Sequence, residues 1–370
     1  MAAPFKLMIA GGGTGGHVFP GIAVADALAR RVRDLDVLWV GTERGIEARV
    51  LPTTPWRFEA MELSGLNGVR GRALLTALGK LPRAGTRAFA LLRSNRPHAV
   101  LGVGGYAGGP LTAMAAALGV PTAVLEPNAI PGLTNRLLAR FVRRAFVTHD
   151  ETRAAFPKGV AEVTGSPVRR GFLKRMGSDV PTDPPLHVLV VGGSQGARAI
   201  NAVVPDAVAA LASRGLRITV THQTGAASRD EVVARYAALG VEAEVLGFID
   251  DVAAAMERAS LLVCRAGAMT VAEIGVLGRP AIYVPLPTAA DDHQRRNAEA
   301  MTARGAARWI AQADLTAARL ADEMQALLGD AARLRDMGIK AWETAHPGRG
   351  RHDCRRAARS ANWPRSASAR

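Results

Sequence analysis

A glycine-rich turn directly after the first apolar segment constrains the fold of this chain more than any other feature. Residues 7–10 (Leu-Met-Ile-Ala) read as a buried strand, and residues 11–17 follow as Gly-Gly-Gly-Thr-Gly-Gly-His. Glycine lets a backbone approach a ligand closely because it has no Cβ. Pro20 can open a helix, and the N–H groups at a helix start favour a negative or electron-rich group. The segment therefore predicts a strand, a ligand-binding turn and a helix over residues 20–31.

The same alternation continues along the chain and restarts after a proline-rich segment at 179–185, which is typical of a linker. Further strands are predicted at 37–40, 99–103, 122–125 and 145–148, and then at 187–191, 218–222, 243–246, 261–264 and 281–284. Strands and helices that alternate in both halves predict two doubly wound α/β domains facing each other across a cleft. We place the first domain at 1–165, the linker at 166–185 and the second domain at 186–346.

The charge of the chain limits its partners. The formal net charge is +15, and 42 of the 47 basic residues are Arg. This excess predicts attraction to nucleic acid, an anionic membrane face or phosphorylated substrates. Aromatic residues make up only 5%, which argues against stacking of single-stranded bases. The two Cys residues lack metal-ligand spacing, so we expect no structural metal and no disulfide scaffold, as suits a reducing cytoplasm.

Membrane contact, if the chain makes it, should be peripheral. No secretory signal is visible, because the first apolar run is short and leads directly into the glycine turn. The uncharged stretch 99–125 is long enough to span a bilayer. It contains six Gly and two Pro, however, and is better explained as strand, glycine turn, helix and strand.

A leucine-rich helical pattern has two interpretations. The side chains of Leu74, Leu75, Leu78 and Leu81 share one helical face and have basic neighbours. The helix could face the core with a solvated basic edge. Alternatively, it could lie in a membrane interface, with leucines between lipids and arginines on anionic headgroups.

The tail at 347–370 departs from the rest of the chain. It contains seven Arg and one Asp without apolar periodicity, a composition that predicts disorder. Reading a GC-rich gene out of frame would produce such a tail. Sequencing the DNA past codon 345 tests this hypothesis, because an open frame that matches the protein rejects it.

His17 ends the first glycine turn and is either a structural ring near a helix start or a catalytic group. Turns at the carboxyl ends of strands are where α/β folds bind ligands. A helix start disfavours imidazolium and so favours the neutral form that a general base needs. A dinucleotide fingerprint fits only weakly, because the second predicted strand ends without an acidic residue and Glu43 lies beyond it.

Three segments of the second half also offer both chemical and structural interpretations. The turn at 192–197 could hold a diphosphate through backbone N–H groups and the Ser194 hydroxyl, or Ser194 could simply cap a helix. Thr270 and Glu273 have the spacing of a capping box, but the Glu273 carboxylate could instead accept both ribose hydroxyls. Gln294 could bind sugar hydroxyls, and its acidic neighbours have no partner cluster at metal-ligand spacing.

Taken together, these motifs closely resemble the MurG family, the bacterial UDP-N-acetylglucosamine transferases of peptidoglycan synthesis. The resemblance covers about residues 5–345 and rests on these segments in chain order: 11–20, 104–110, 126–128, 132–135, 165–169, 192–197, 248–251, 264–273 and 292–294. It implies a GT-B fold, with two Rossmann-like doubly wound domains and an active cleft between them. The family has its membrane-association patch in the region of Leu74, Leu75, Leu78 and Leu81. Its members end in an amphipathic helix, a pattern that fades here after about Ala345.

The resemblance also implies an activity and a set of site residues. The activity is inverting transfer of N-acetylglucosamine from UDP-N-acetylglucosamine to the C4 hydroxyl of undecaprenyl-diphosphate-linked muramoyl-pentapeptide (lipid I), giving lipid II. It implies no cofactor, no nucleic-acid partner and a peripheral location on the cytoplasmic face of the bacterial plasma membrane. The implied substrate-binding residues are Thr14, Gly15, Gly16, Asn128, Arg169, Ser194, Ile249, Ala268, Met269, Thr270, Val271, Ala272, Glu273 and Gln294. Our hypothesis for the general base is His17.

Two other functions compete with this one. The first is a related GT-B transferase with a different nucleotide sugar or lipid acceptor, because glycine turns do not name the sugar. The second is a basic nucleic-acid-binding or membrane-binding protein whose glycine turns are only turns. Its support is the net charge alone.

Overall fold

The computed structural model describes residues 3–43, 45–61, 81–105, 108–193, 196–289 and 292–345. The chain divides into two compact units, the first ending at Arg169 and the second beginning at Arg170. Both are doubly wound α/β domains, which confirms the predicted fold class. The tail at 347–370, Ser194, the side chain of Leu81 and all of Leu74, Leu75 and Leu78 lie outside the described residues.

The described part of the first unit contains a parallel sheet of seven strands. In chain order they are Phe5–Gly11 (β1), Leu35–Thr42 (β2), Arg57–Met61 (β3), Ala99–Gly104 (β4), Thr122–Glu126 (β5), Arg144–Val147 (β6) and Ala161–Val163 (β7). Their order in the sheet is β3-β2-β1-β4-β5-β6-β7. The α-helices are Gly15–Ala29 (α1), Glu47–Val50 (α2), Leu81–Asn95 (α3), Gly108–Ala117 (α4) and Leu133–Leu138 (α5), and 3-10 turns lie at Leu51–Thr53 and Asp150–Ala155.

The second unit repeats this design with six strands among its described residues. They are Leu186–Val191 (β8), Ile218–Gln223 (β9), Glu244–Leu246 (β10), Leu261–Cys264 (β11), Ala281–Tyr283 (β12) and Arg308–Trp309 (β13), in the order β10-β9-β8-β11-β12-β13. The α-helices are Arg170–Lys174 (α6), Arg198–Ser213 (α7), Arg229–Ala238 (α8), Val252–Arg258 (α9), Ala268–Leu277 (α10), His293–Ala303 (α11), Ala317–Leu328 (α12) and Ala331–Ala345 (α13). Short 3-10 turns lie at Ala226–Ser228 and Gln312–Asp314.

Both faces of the first sheet are buried, which explains why its central strands are continuous apolar runs. On β1, Met8 packs in a cluster with residues of α3 and α4, whereas Leu7 and Ile9 pack in a cluster with residues of α1. On the α1 side, the sheet also lines an apolar pocket of about 1040 Å³, whose walls include Phe5, Leu28 and further apolar side chains.

The strand order determines where each unit can bind a ligand. The winding direction reverses between β1 and β4 in the first sheet, and between β8 and β11 in the second. Loops that leave the carboxyl ends of two such strands diverge and open a crevice. The glycine turn that contains His17 follows β1, and the turn at 192–197 follows β8. Both turns therefore lie at the reversal point of their own sheet.

Several predicted boundaries were wrong. The first helix begins at Gly15 rather than Pro20, because Thr14 adopts the extended N-cap conformation and its carbonyl accepts from the N–H groups of His17 and Val18. The edge strands β3, β7 and β13 were not predicted, because they are short and their polarity is mixed.

The uncharged stretch 99–125 folds as strand, helix and strand, as expected. Across the part of the chain that the structure describes, no helix has the length and apolar character needed to cross a membrane.

A buried histidine in the second unit makes its stability depend on pH. The Asn201 side chain donates to the carbonyl of Thr224, so its amide oxygen faces His222 Nε2 at 3.2 Å and accepts from it. His222 Nδ1 lies 3.2 Å from the Tyr236 hydroxyl and accepts from it. The neutral ring is therefore fully bonded, and burial lowers the pKa of His222 from 6.5 to about 4.

We expect the second unit to lose stability between pH 6.5 and about pH 4. In this window the unfolded chain binds a proton that the folded His222 does not, so the stability present above pH 6.5 falls as the pH is lowered. The loss reaches about 3 kcal/mol, at about 1.4 kcal/mol per pH unit. Urea unfolding at several pH values measures it. A His222→Gln variant should have a flatter pH dependence, and an unchanged slope would contradict this assignment.

Candidate active site

Two glycine turns meet at the reversal point of the first sheet. The N–H of Gly12, in the turn after β1, donates to the carbonyl of Gly104 at the end of β4 over 3.3 Å. A Cβ at Gly105 would lie 2.2 Å from the carbonyl oxygen of Gly12, and Gly105 has a φ of +76°. The two backbones are thus in direct contact, and a side chain at Gly105 would force them apart.

A buried carboxylate fixes the shape of the first turn. Glu47, at the start of α2, accepts from the N–H of Gly13 over 2.7 Å through Oε2. Its Oε1 accepts from the N–H and the hydroxyl of Thr42 over 2.8 and 2.7 Å. The Trp39 indole also donates to the Gly11 carbonyl over 2.8 Å. A dinucleotide site would use an acidic residue near the end of β2 to bind a ribose. The one that reaches the turn, Glu47, holds its backbone instead.

His17 lies in the first turn of α1 with a defined ring orientation. Its Nδ1 is 3.3 Å from the Gly12 carbonyl oxygen and 3.2 Å from the Thr14 hydroxyl. Because a carbonyl oxygen can only accept, Nδ1 carries the hydrogen, and Nε2 is the nitrogen with the lone pair. The ring also packs on Gly104, where a Cβ would lie 3.0 Å from Nε2. This tautomer suits a general base that takes a proton at Nε2.

A second buried carboxylate holds the loop after β5. Oε1 of Glu126 accepts from the backbone and side-chain nitrogens of Asn128, each over 3.0 Å. Its Oε2 accepts from the Gly132 N–H over 3.0 Å and from the Asn135 amide over 2.9 Å. Burial raises the pKa of Glu126, and these hydrogen bonds act in the opposite direction. Asn128 is therefore held at the same sheet edge as the His17 turn.

Arg169 lies close to the helix that follows the first turn. Its guanidinium carbon is 5.6 Å from the centre of the Phe19 ring on α1, within the range of a cation–π contact. The Phe19 ring in turn lies over Gly15, where a Cβ would be 3.0 Å from it. The first unit thus brings together Thr14, Gly15, Gly16 and His17, with Arg169 beside the same helix.

In the second unit, the candidate residues follow neighbouring strands of the sheet. Ile249 belongs to the loop after β10, residues 268–273 to the start of α10 after β11, and Gln294 to the segment after β12. Ser194 follows β8 in the sequence but lies outside the described residues. The carboxyl ends of parallel strands meet at one edge of a sheet, so these loops share that edge. Ile249 is buried, and Asp251, two residues further on, caps α9 by accepting from the Ala254 N–H over 2.9 Å.

The start of α10 excludes the capping-box interpretation of Glu273. The N-cap of this helix is Gly267, and the first helical residue is Ala268. Thr270 therefore already lies inside the helix, and Glu273 lies one turn further along instead of three residues after the N-cap. A glycine N-cap has no side-chain acceptor, so the first N–H groups of α10 can serve an anion. Glu273 is buried near this end.

The remaining polar groups hold the loops around this edge. The amide oxygen of Gln294 accepts from the Leu286 N–H over 3.0 Å, so its amide nitrogen is the group that can serve a sugar hydroxyl. Asn297 donates to the Ala266 carbonyl over 3.1 Å and fixes the turn before α10. Burial raises the pKa of Cys264 to about 12, which makes this thiol a poor nucleophile. In the described ranges, no three His, Cys, Asp or Glu side chains form a metal-binding group.

Comparison with known proteins assigns the family. Residues 7–147 match the glycosyltransferase family 28 N-terminal domain, and residues 187–347 match the glycosyltransferase family 28 C-terminal domain. The UDP-N-acetylglucosamine--N-acetylmuramyl-(pentapeptide) pyrophosphoryl-undecaprenol N-acetylglucosamine transferase of Geobacter sulfurreducens is 43% identical over 343 residues, covering 92% of this chain and 94% of that protein. The protein of the same name from Anaeromyxobacter sp. is 45% identical, covering 92% and 90%.

A solved structure agrees with this assignment. The crystal structure of Acinetobacter baumannii MurG is 32% identical in sequence and superposes with a TM-score of 0.77, covering 94% of this chain and 98% of that chain. Two doubly wound domains with this match have the GT-B fold. The chain therefore belongs to glycosyltransferase family 28 and, within it, to the MurG family of N-acetylglucosamine transferases.

Proposed function

We propose that this chain transfers N-acetylglucosamine from UDP-N-acetylglucosamine to the C4 hydroxyl of the muramoyl sugar of lipid I, forming lipid II. The observation that carries the proposal is the match along 92% of the chain to relatives named for this transfer. The site geometry agrees, because each unit has a glycine turn and a helix start at the reversal point of its sheet.

The second unit supplies the donor site in this proposal. The backbone of buried Ile249 reads uracil, and the Glu273 carboxylate accepts from the ribose hydroxyls. Ser194 binds the diphosphate together with the uncapped start of α10, where Ala268, Met269, Thr270, Val271 and Ala272 lie. The amide nitrogen of Gln294 donates to the sugar.

The first unit activates the acceptor. His17 takes the proton of the C4 hydroxyl at Nε2, the hydroxyl oxygen forms a bond to the anomeric carbon, and the bond from that carbon to UDP breaks with inversion. One displacement needs one base and no covalent nucleophile. Thr14, Gly15, Gly16 and Asn128 complete the site. Arg169 and the helix N-termini stabilise the charge that develops on UDP.

Release of UDP tests this function. The protein is incubated with UDP-N-acetylglucosamine and a lipid I analogue, and a coupled assay follows UDP. We expect UDP to appear only with both substrates, together with an N-acetylglucosaminyl product. Faster turnover with another nucleotide sugar or lipid acceptor would favour a related GT-B transferase. If no pair of nucleotide sugar and lipid acceptor releases UDP, the result would favour a binding protein over a transferase.

We also propose that the first unit binds the cytoplasmic face of the plasma membrane peripherally, through an anionic lipid surface. Leu133, Leu137 and Phe141 recur four residues apart along and just after α5, and all three are exposed. Leu137 is 66% and Phe141 67% exposed. The side chains of Arg136 and Arg140, which alternate with them, are exposed as well. We call these five residues the α5 patch. Exposed apolar side chains among arginines suit an anionic bilayer surface.

Vesicle co-sedimentation tests the α5 patch. An Arg136→Glu/Arg140→Glu variant should bind phosphatidylglycerol vesicles about tenfold more weakly or worse, because each basic residue near the surface contributes about 1 kcal/mol. Phe141→Ser should also weaken binding. Phe248→Ser, which changes an aromatic side chain 65% exposed in the second unit, is the matched control. If high salt and the charge-reversal variant both leave vesicle binding unchanged, the proposed electrostatic contribution to membrane binding is contradicted.

A further inference from the structure

Gln223 connects two loops of the second unit, one containing Gly193 and the other containing Gly247. It is the last residue of β9 and is only 4% exposed. Its Oε1 accepts from the N–H of Gly193 over 3.1 Å, and its Nε2 donates to the carbonyl of Gly193 over 2.8 Å. Nε2 also donates to the carbonyl of Gly247 over 3.3 Å. One side chain is thus hydrogen-bonded to both Gly193 after β8 and Gly247 after β10.

The position of β9 explains why this residue can reach both loops. In the sheet, β9 lies between β10 and β8, so its carboxyl end faces the loops that leave both neighbours. The backbone adds to the connection, because the N–H of Gly192 donates to the carbonyl of Gln223 and that of Thr224 to the carbonyl of Leu246. Among these contacts, only the side-chain amide of Gln223 bonds to both loops.

The chemistry of these bonds requires a glutamine amide. The backbone of Gly193 presents an N–H donor and a C=O acceptor. A primary amide matches both and keeps one further N–H for the Gly247 carbonyl. Glutamate would place a carboxylate oxygen against two carbonyl oxygens. Methionine would fill the volume but leave one N–H and two carbonyls, all in part-buried hydrogen bonds here, without these partners.

We infer that Gln223 is a positioning residue that sets the spacing between the diphosphate-binding and uracil-binding loops of the donor site. The inference rests on the proposed function, in which Ser194 next to Gly193 binds the diphosphate and Ile249, close to Gly247, reads uracil. A nucleoside diphosphate spans both loops and depends on their spacing. A nucleoside alone occupies only the Ile249 loop and is much less sensitive to it.

Binding measurements on Gln223→Glu and Gln223→Met test this role. We expect the Kd for UDP to rise about tenfold or more in both variants, equivalent to about 1.4 kcal/mol, and the Kd for uridine to change less than about threefold. The KM for UDP-N-acetylglucosamine should rise while kcat at saturation changes little. Gln223→Asn has a side chain one methylene shorter. Its Kd for UDP should lie between those of the wild type and Gln223→Met.

Thr221→Val is the matched control. Thr221 lies on the same strand and is buried, and its hydroxyl donates to Glu244 on β10 over 2.8 Å without touching either loop. This variant loses a cross-strand hydrogen bond but should keep the wild-type Kd for UDP. Melting temperatures of all variants show whether each remains folded.

The outcomes separate this inference from the proposed function. A wild-type chain that binds no UDP-N-acetylglucosamine refutes the function. Suppose instead that the wild type binds UDP-N-acetylglucosamine. A folded Gln223 variant that keeps the wild-type Kd for UDP, or that loses affinity for UDP and uridine equally, then overturns the inference while the function stands. Hydrogen exchange on the wild type provides a second test without a variant. Uridine should slow exchange in the peptide containing Gly193 as well as in the one containing Ile249, and protection of the latter alone would overturn the inference.

Discussion

A His17→Ala variant is expected to lose about 10²- to 10⁴-fold in kcat, the range that a general base contributes. The reason is geometric. Nδ1 donates its hydrogen to the Gly12 carbonyl, so Nε2 is the basic nitrogen. Alanine removes this base while the backbone of the turn remains braced by Glu47. The coupled UDP assay measures kcat, and calorimetry measures donor binding, which should stay within about threefold.

His98→Ala is the control for this variant. His98 precedes β4 at the amino end of the sheet, where its backbone N–H donates to the Lys6 carbonyl, so it lies far along the strand from the glycine turns. It should keep turnover close to that of the wild type. Near-normal turnover by His17→Ala with intact donor binding would show that the base is another group.

Gly105→Ala should be among the most damaging single substitutions in the first unit. The new Cβ would lie 2.2 Å from the Gly12 carbonyl oxygen, and the alanine would have to adopt a φ of +76°. Strain of about 1–2 kcal/mol and overpacking of about 1–3 kcal/mol add to a loss of about 2–5 kcal/mol in the free energy of unfolding. Because Gly12 also accepts from His17, the surviving folded protein should lose kcat as well. Urea unfolding and the UDP assay measure the two effects.

Gly119→Ala separates strain from collision. Gly119 has nearly the same φ, +75°, but a Cβ there would meet nothing within 4 Å. This variant should lose only about 1–2 kcal/mol, the cost of the left-handed conformation, and should keep full activity. Equal losses of stability in the two variants would show that contact between the turns has no energetic importance.

Local patterns were enough to predict the central strands of both sheets and the glycine turn after β1, but not the edge strands β3, β7 and β13. An apolar run followed by glycines can be recognised without tertiary information, and it correctly located β1 and β8. Boundaries that depend on caps were harder. The pattern around Thr270 suggested a capping box, but the backbone places the N-cap at Gly267.

The residues that sequence reasoning missed act over long separations in the chain. Glu47 bonds to Gly13, and Gln223 bonds to Gly193 and Gly247, contacts that exist only once the strands are paired. An isolated Glu or Gln next to a strand has no local signature of this role. The roles assigned to Ser194 and to the leucines near residue 78 remain predictions, because those residues lie outside the part of the chain that the structure describes.

The internal braces have an evolutionary consequence. Glu47 shapes the turn of the first unit from within that unit, and Gln223 does the same in the second. In each unit, a loop of the proposed site is thus held by side-chain hydrogen bonds from within that unit. Under the proposed assignment, sugar-nucleotide specificity lies in the half that contains Gln294, so substitutions there can change it while the half that contains His17 stays unaltered.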